Sequence, residues 1–270
     1  MNNVLEKVID SLVSSVIKMP EIRSVGINIG SPAAAASGDG VDIYVFCDSI
    51  PCMEDRYAAM CGHGLRNIRP NAFKGDAANG CGTRDSAAYD SATVNVTYFV
   101  SQEIAAFVDT VAKGERFAEE NGVWPTARLA AIRSLRVIHD REGFLAGLKQ
   151  KLDVYPQPLA GKILDRYKKV IGGGEELALA ASSGDVIFYH SALDAALEAF
   201  LQVIFVMNGQ YFPGRRAASL CMEDFKLKPD RCGARLVRVV GLGASAASLA
   251  DSYKLWRELA RELSALCGEG

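Results

Sequence analysis

Apolar residues along this chain change their spacing once, near residue 101. Before that point a helical stretch gives way to alternation. Val4, Leu5, Val8, Ile9, Leu12, Val13, Val16 and Ile17 recur at three- and four-residue intervals and predict an amphipathic helix over residues 3–18. Val25, Ile27 and Ile29 then alternate with polar or small residues, which predicts a strand over 23–29. A short helix over 32–36 opens at Pro32, where a missing N–H costs nothing. Residues 41–47 read as a second strand and 53–65 as an amphipathic helix. In the third strand, 92–100, Val94, Val96 and Tyr98 alternate with Thr93, Asn95 and Thr97. Residues 69–90 are rich in Gly, Asn, Asp and Ala with little periodicity, and read as a loop.

After residue 101 the spacing is helical throughout. It predicts helices over 102–113, 126–137, 143–152, 159–170, 175–181, 185–209 and 245–266. Gly172-Gly173-Gly174 lacks a following Lys-Ser/Thr and a preceding strand, so it is a turn and not a phosphate loop. A small mixed β-sheet part followed by an all-helical part predicts an α+β protein. The expected domains are an α/β domain over 1–122 and a helical bundle over 123–270.

Charge narrows the choice of partner. The 270 residues carry 30 basic and 32 acidic side chains, a formal net charge of −2. No global basic field draws such a chain onto nucleic acid, so a polymeric nucleic-acid partner is not expected. Nor is a membrane: the most apolar stretch, 192–207, contains Asp194, Glu198 and Gln202. Glu6 and Asp10 break the first apolar run, so it does not read as a secretory signal. Seven cysteines without repeating spacing suit reduced thiols, which predicts a cytoplasmic location.

The candidate chemistry lies between the first two strands. Ile27-Asn28-Ile29-Gly30-Ser31, ten further residues, then Asp42-Ile43-Tyr44-Val45-Phe46 resembles the nucleotidyltransferase superfamily signature: a strand, a Gly-Ser turn, a short helix and a strand bearing Asp-x-Asp. Val137-Ile138-His139-Asp140-Arg141-Glu142-Gly143, Tyr155-Pro156-x-x-Leu159, residues 184–189, and 206–214 from Val206 to Gly214 resemble bacterial nucleotidyltransferase-like proteins with a largely uncharacterised helical partner domain. That domain is distantly similar in layout to aminoglycoside nucleotidyltransferases.

The resemblance implies transfer of a nucleoside monophosphate from an NTP to a hydroxyl of a small-molecule acceptor, with Mg²⁺ and NTP as cofactors. Carboxylates at i and i+2 on a strand point to one face and can hold two metal ions across a triphosphate. Gly30 and Ser31 would cradle phosphate and Asp42 would bind metal. Arg215 and Arg216 would reach the triphosphate, and Asp194 or Glu198, one helical turn apart, would act as general base toward the acceptor. This chain departs from the pattern at two acidic positions, Tyr44 on the second strand and Asn95 on the third. A neutral phenol and a carboxamide are poor ligands for a hard cation. Asp39 and Asp90 are the acids near enough to substitute. The same fold without turnover, as a nucleotide- or ligand-binding regulatory protein, therefore stands beside the enzyme. Related enzymes sometimes complete their site across a dimer, which keeps a homodimer open.

Two other clusters have bland readings. Cys47, Cys52, Cys61, His63 and Cys81 lack the close Cys pairs of structural zinc and read as scattered small hydrophobes. His139 and Asp140 are neighbours on a strand, pointing to opposite faces, so Asp140 is better read as the cap of the helix that follows.

Overall fold

In a computed structural model the protein is a mixed α+β structure, with residues 3–28, 40–75, 80–119 and 123–268 described. The chain divides into two compact units, Met1–Val154 and Tyr155–Gly270.

The first unit is built on a six-stranded mixed sheet of order β3-β4-β5-β2-β1-β6. Its strands are β1 (Ile22–Asn28), β2 (Val41–Cys47), β3 (Arg66–Lys74), β4 (Thr83–Tyr89), β5 (Ala92–Val100) and β6 (Arg136–Asp140). β2 lies between antiparallel β1 and parallel β5, and all seven of its residues are buried. Alternation along β2 gives the sheet two different faces. Val41, Ile43, Val45 and Cys47 join Val94, Val96 and Tyr98 of β5, Val25 and Ile27 of β1, and Ile9, Leu12, Val13 and Val16 of helix α1 (Asn3–Val16) in one apolar core. Met60, at the end of α2 (Met53–Met60), belongs to the same core. The other face carries Asp42, Tyr44 and Phe46.

Helices α3 (Ser101–Ala112), α4 (Pro125–Ser134) and α5 (Phe144–Asp153) complete this unit. Phe46 meets Phe99 and Phe144 at ring-centroid distances of 5.7 Å each. Gly26 lets the chain come close here: a Cβ on it would lie 2.9 Å from Leu145 Cδ2 and 3.0 Å from Leu135 Cβ. The Asp140 cap is as expected, its carboxylate accepting from the Leu145 and Ala146 N–H groups at 2.9 Å each.

Three expectations change. The helix read over 126–137 ends at Ser134 and residues 136–140 form a strand, so the part after residue 101 is not wholly helical. Residues 69–90 are not a loop, because β3 and β4 form a hairpin that continues the sheet outward from β5. β3 sits at the edge with most residues exposed, so it shows no alternation of apolar and polar residues; Pro70 is tolerated there, and Asn67 and Asn71 adopt positive φ where the register shifts. The domain boundary also moves from 122/123 to 154/155. β6 pairs with β1 and α5 packs on β1, so 123–154 belong with the sheet.

Within the described residues the second unit is helical: α6 (Gln157–Tyr167), α7 (Gly174–Ser183), α8 (Val186–Met207), α9 (Arg215–Met222), α10 (Cys232–Leu242) and α11 (Leu249–Leu266). α8 packs against α6, α7 and α11. It is long and apolar enough to span a bilayer by composition, and most of that apolar window is buried inside the protein. Phe200 of α8 meets Trp256 of α11 at 5.5 Å. Tyr189 donates to Ser252 Oγ at 2.8 Å, and Ser252 donates to the Val239 carbonyl at 2.7 Å, tying α8, α11 and α10 together.

Candidate functional site

Strand register assembles the polar face. Asp42 lies opposite Asn95 on β5 and Asn28 on β1, and Asn95 lies opposite Ser86 on β4. Asn95 Nδ2 donates to Asp42 Oδ1 at 3.0 Å, and Ser86 Oγ donates to Asn95 Oδ1 at 2.7 Å. A hydrogen-bonded row therefore crosses three strands, and all three side chains are buried. The resemblance puts the third acidic position at Asn95. The residue does stand directly beside Asp42, and its amide bonds the carboxylate.

The next row along the strands is Tyr44, Thr97 and Arg84, again in register. Arg128, projecting from α4, donates to the Tyr44 hydroxyl at 2.9 Å. Its guanidinium also lies over the Tyr44 and Phe99 rings, 5.4 and 5.0 Å from their centroids. Burial pushes the Tyr44 phenol above its ordinary pKa; Arg128 opposes this, Asp42 adds to it and Arg84 opposes it. The phenol is thus neutral near pH 7. Arg84 lies over the Phe73 ring at 5.4 Å, and its Nε is buried with no hydrogen-bond partner.

These replacements reverse the local charge. Three carboxylates would make a strongly negative site suited to divalent cations. Among the described residues one carboxylate stands with two guanidinium groups, a combination suited to an anion. No group of three or more His, Cys, Asp and Glu side chains comes together among the described residues. Asp90 occupies the β4–β5 turn with a positive φ of 50° and is exposed. Gly30, Ser31 and Asp39 lie outside the described residues. The cysteine-rich stretch has other engagements. Cys47 donates to the Phe99 carbonyl and burial raises its thiol pKa to about 12. The ring of His63 bonds to Ser11, Ser15 and the Ala59 carbonyl.

In the second unit the remaining candidates form their own cluster. Arg215, at the start of α9, donates to Asp194 and, at 3.2 Å, to Glu198 Oε2. Tyr167 donates to Glu198 Oε1 at 3.3 Å. Asp194 is 57% exposed and Glu198 22% exposed. Arg216 is exposed beside Arg215. The cluster brings together residues assigned separately to acceptor activation and phosphate binding, and the arginine is occupied by the two acids. Sequence reasoning missed Arg84, Arg128 and Tyr167. Arg84 and Ser86 do alternate with Asp85 and Ala87, which is the signal that a strand delivers them to one face.

Comparison with known proteins adds a coarse outline. The family described as a domain of unknown function, DUF4037, matches residues 123–216, about a third of the chain, from just before α4 to the start of α9. No curated protein matches the chain. A solved structure of a nucleotidyltransferase-like protein from Exiguobacterium sibiricum 255-15 is similar at a TM-score of 0.46 and 11% identity, covering 97% of this chain and 74% of that one.

Proposed function

We propose that this chain is a nucleotidyltransferase-like protein that binds a phosphorylated ligand, a nucleotide in the first instance, without two-metal turnover. The observation that carries this reading is the hydrogen bond from the Asn95 amide to Asp42. It puts a neutral donor where a second metal-binding carboxylate is needed. Tyr44, neutral and held by Arg128, fills the other acidic position. Arg84 and Arg128 supply positive charge that Mg²⁺ otherwise brings.

Calorimetric titration with each NTP, in Mg²⁺ and again in EDTA, tests this. Affinity that is the same within a factor of about two in both, and that falls on Arg84→Ala or Arg128→Ala, is the expected result. Binding that requires Mg²⁺, or NTP consumption by the wild type that Asp42→Ala abolishes, would overturn it. The double variant Y44D/N95D restores the acidic pattern, and acquires Mg²⁺-dependent binding on this reading.

A further inference from the structure

Net charge conceals how the arginines are distributed. β3 borders the sheet, and its pairing sets Arg66 opposite Ala88, Arg69 opposite Ser86 and Phe73 opposite Arg84. Paired residues share a face, so these side chains lie on the face that holds Ser86 and Asn95. Arg66 and Arg69 are exposed, and neither side chain has a hydrogen bond or ion pair among the described residues. Phe73 is 43% exposed, with Arg84 against its ring. A depression of about 570 Å³ beside them is lined by Asn67, Ile68, Arg69, Ala87, Ala88 and Thr93. Among the described residues little acid opposes this. Asp85 points to the opposite face, where Arg56 takes both its oxygens, Asp42 is 9% exposed, and Asp90 sits at the hairpin turn.

We propose that this sheet face binds a single-stranded polynucleotide, its phosphates running past Arg66, Arg69 and Arg84 and one base stacking on Phe73. Arginines without carboxylate partners attract phosphates, and an exposed aromatic on a strand stacks an unpaired base without regard to its identity. Spacing argues for a polymer. Because β3 is bulged, Arg66, Arg69 and Phe73 fall opposite Ala88, Ser86 and Arg84, which are two residues apart on β4. Successive rows therefore lie about 7 Å apart and about 14 Å separates the first from the last, a repeat that suits successive phosphates of a strand. The proposal does not rest on the nucleotide reading above, although Arg84 is common to both.

The test is fluorescence anisotropy with 5′-labelled U12 and dT12 on the full chain at 50–200 mM NaCl. Three phosphate contacts give a log–log salt slope of about −2, at about 0.7 per contact on single strands. R66E/R69E, or the milder R66Q/R69Q, brings the slope to about −0.7 with the wild-type thermal midpoint. Phe73→Ala weakens binding about 5-fold or more and leaves the slope unchanged. Binding of either oligonucleotide supports the proposal, and the stronger of the two shows which sugar the face accepts. No binding at 50 mM salt, binding indifferent to R66E/R69E, or complete displacement by 1 mM NTP (taken as roughly physiological substrate concentration) would overturn it, the last by placing the strand at Arg84 and Arg128 instead.

Discussion

The two faces of the sheet each bury charge, and they do so on opposite terms. On the face toward α1 and α2, Arg56 and Asp85 are closed into a pair with side chains 4% and 1% exposed. Arg56 Nη1 reaches both Asp85 oxygens at 2.6 and 2.7 Å, its Nε donates to the Pro51 carbonyl, its Nη2 donates to Asn71, and it stands 5.2 Å from the Tyr98 ring centroid. Asp85 also accepts from the Asn71 N–H at 2.7 Å, which holds the bulged part of β3. Nothing there is left to offer a ligand. On the other face Asp42 is bonded by a neutral amide, and among the described residues Arg84 and Arg128 form no ion pair with a carboxylate. A buried guanidinium closed by a carboxylate is structure, whereas guanidinium groups without a carboxylate partner are open to an anion.

The largest test of that contrast is Asp85→Ala. Leaving Arg56 buried and unpaired is expected to cost about 3–5 kcal/mol, measured by urea denaturation. A loss below 1 kcal/mol would mean that water already reaches the pair. Asn95→Ala should cost less, about 1.5–3 kcal/mol for a hydrogen bond to a charged group. A larger cost than that of Asp85→Ala would reverse the assignment of the two faces. The smallest effect concerns Asp140. Burial would raise its pKa, but bonds from Ser24 and from the Ala146 and Leu145 N–H groups outweigh it and hold the carboxyl below its ordinary range. A depressed folded pKa stabilises above the unfolded value of about 3.9, and this contribution disappears as pH falls from there through the lower folded value. Asp140→Ala should lose about 0.5–2 kcal/mol at pH 7 and show a shallower decline in stability below pH 4.

Much of this arrangement was legible in the residues. Alternation in 92–100 predicted the strand that carries Asn95, because that strand is central and buried and its pattern reflects one apolar core. Its place beside Asp42 came from the resemblance and is a matter of strand register. The helices over 101–207 were readable for a similar reason, since their apolar stripes face neighbours. The β3–β4 hairpin was not, because an exposed edge strand carries no burial pattern to read. α10 was missed as well: Cys232, Leu236 and Val239 do recur at helical spacing, but Gly233 and Gly241 dilute the signal. The roles of Arg84 and Arg128 depend on pairing between segments far apart in sequence, which local periodicity does not encode.

The row Asp42–Asn95–Ser86 also has an order of assembly. Ser86 and Asn95 are nine residues apart and meet across a tight antiparallel hairpin, whereas Asn95 and Asp42 are 53 apart and meet only when β5 docks in parallel on β2. Closing the longer span carries the greater loop entropy and belongs to the slower class of contacts. The outer half of the row is thus expected to form while the inner half is still open. Refolding kinetics would register this as a φ-value for Ser86→Ala well above that for Asp42→Ala, and equal values would mean that the row forms in one step.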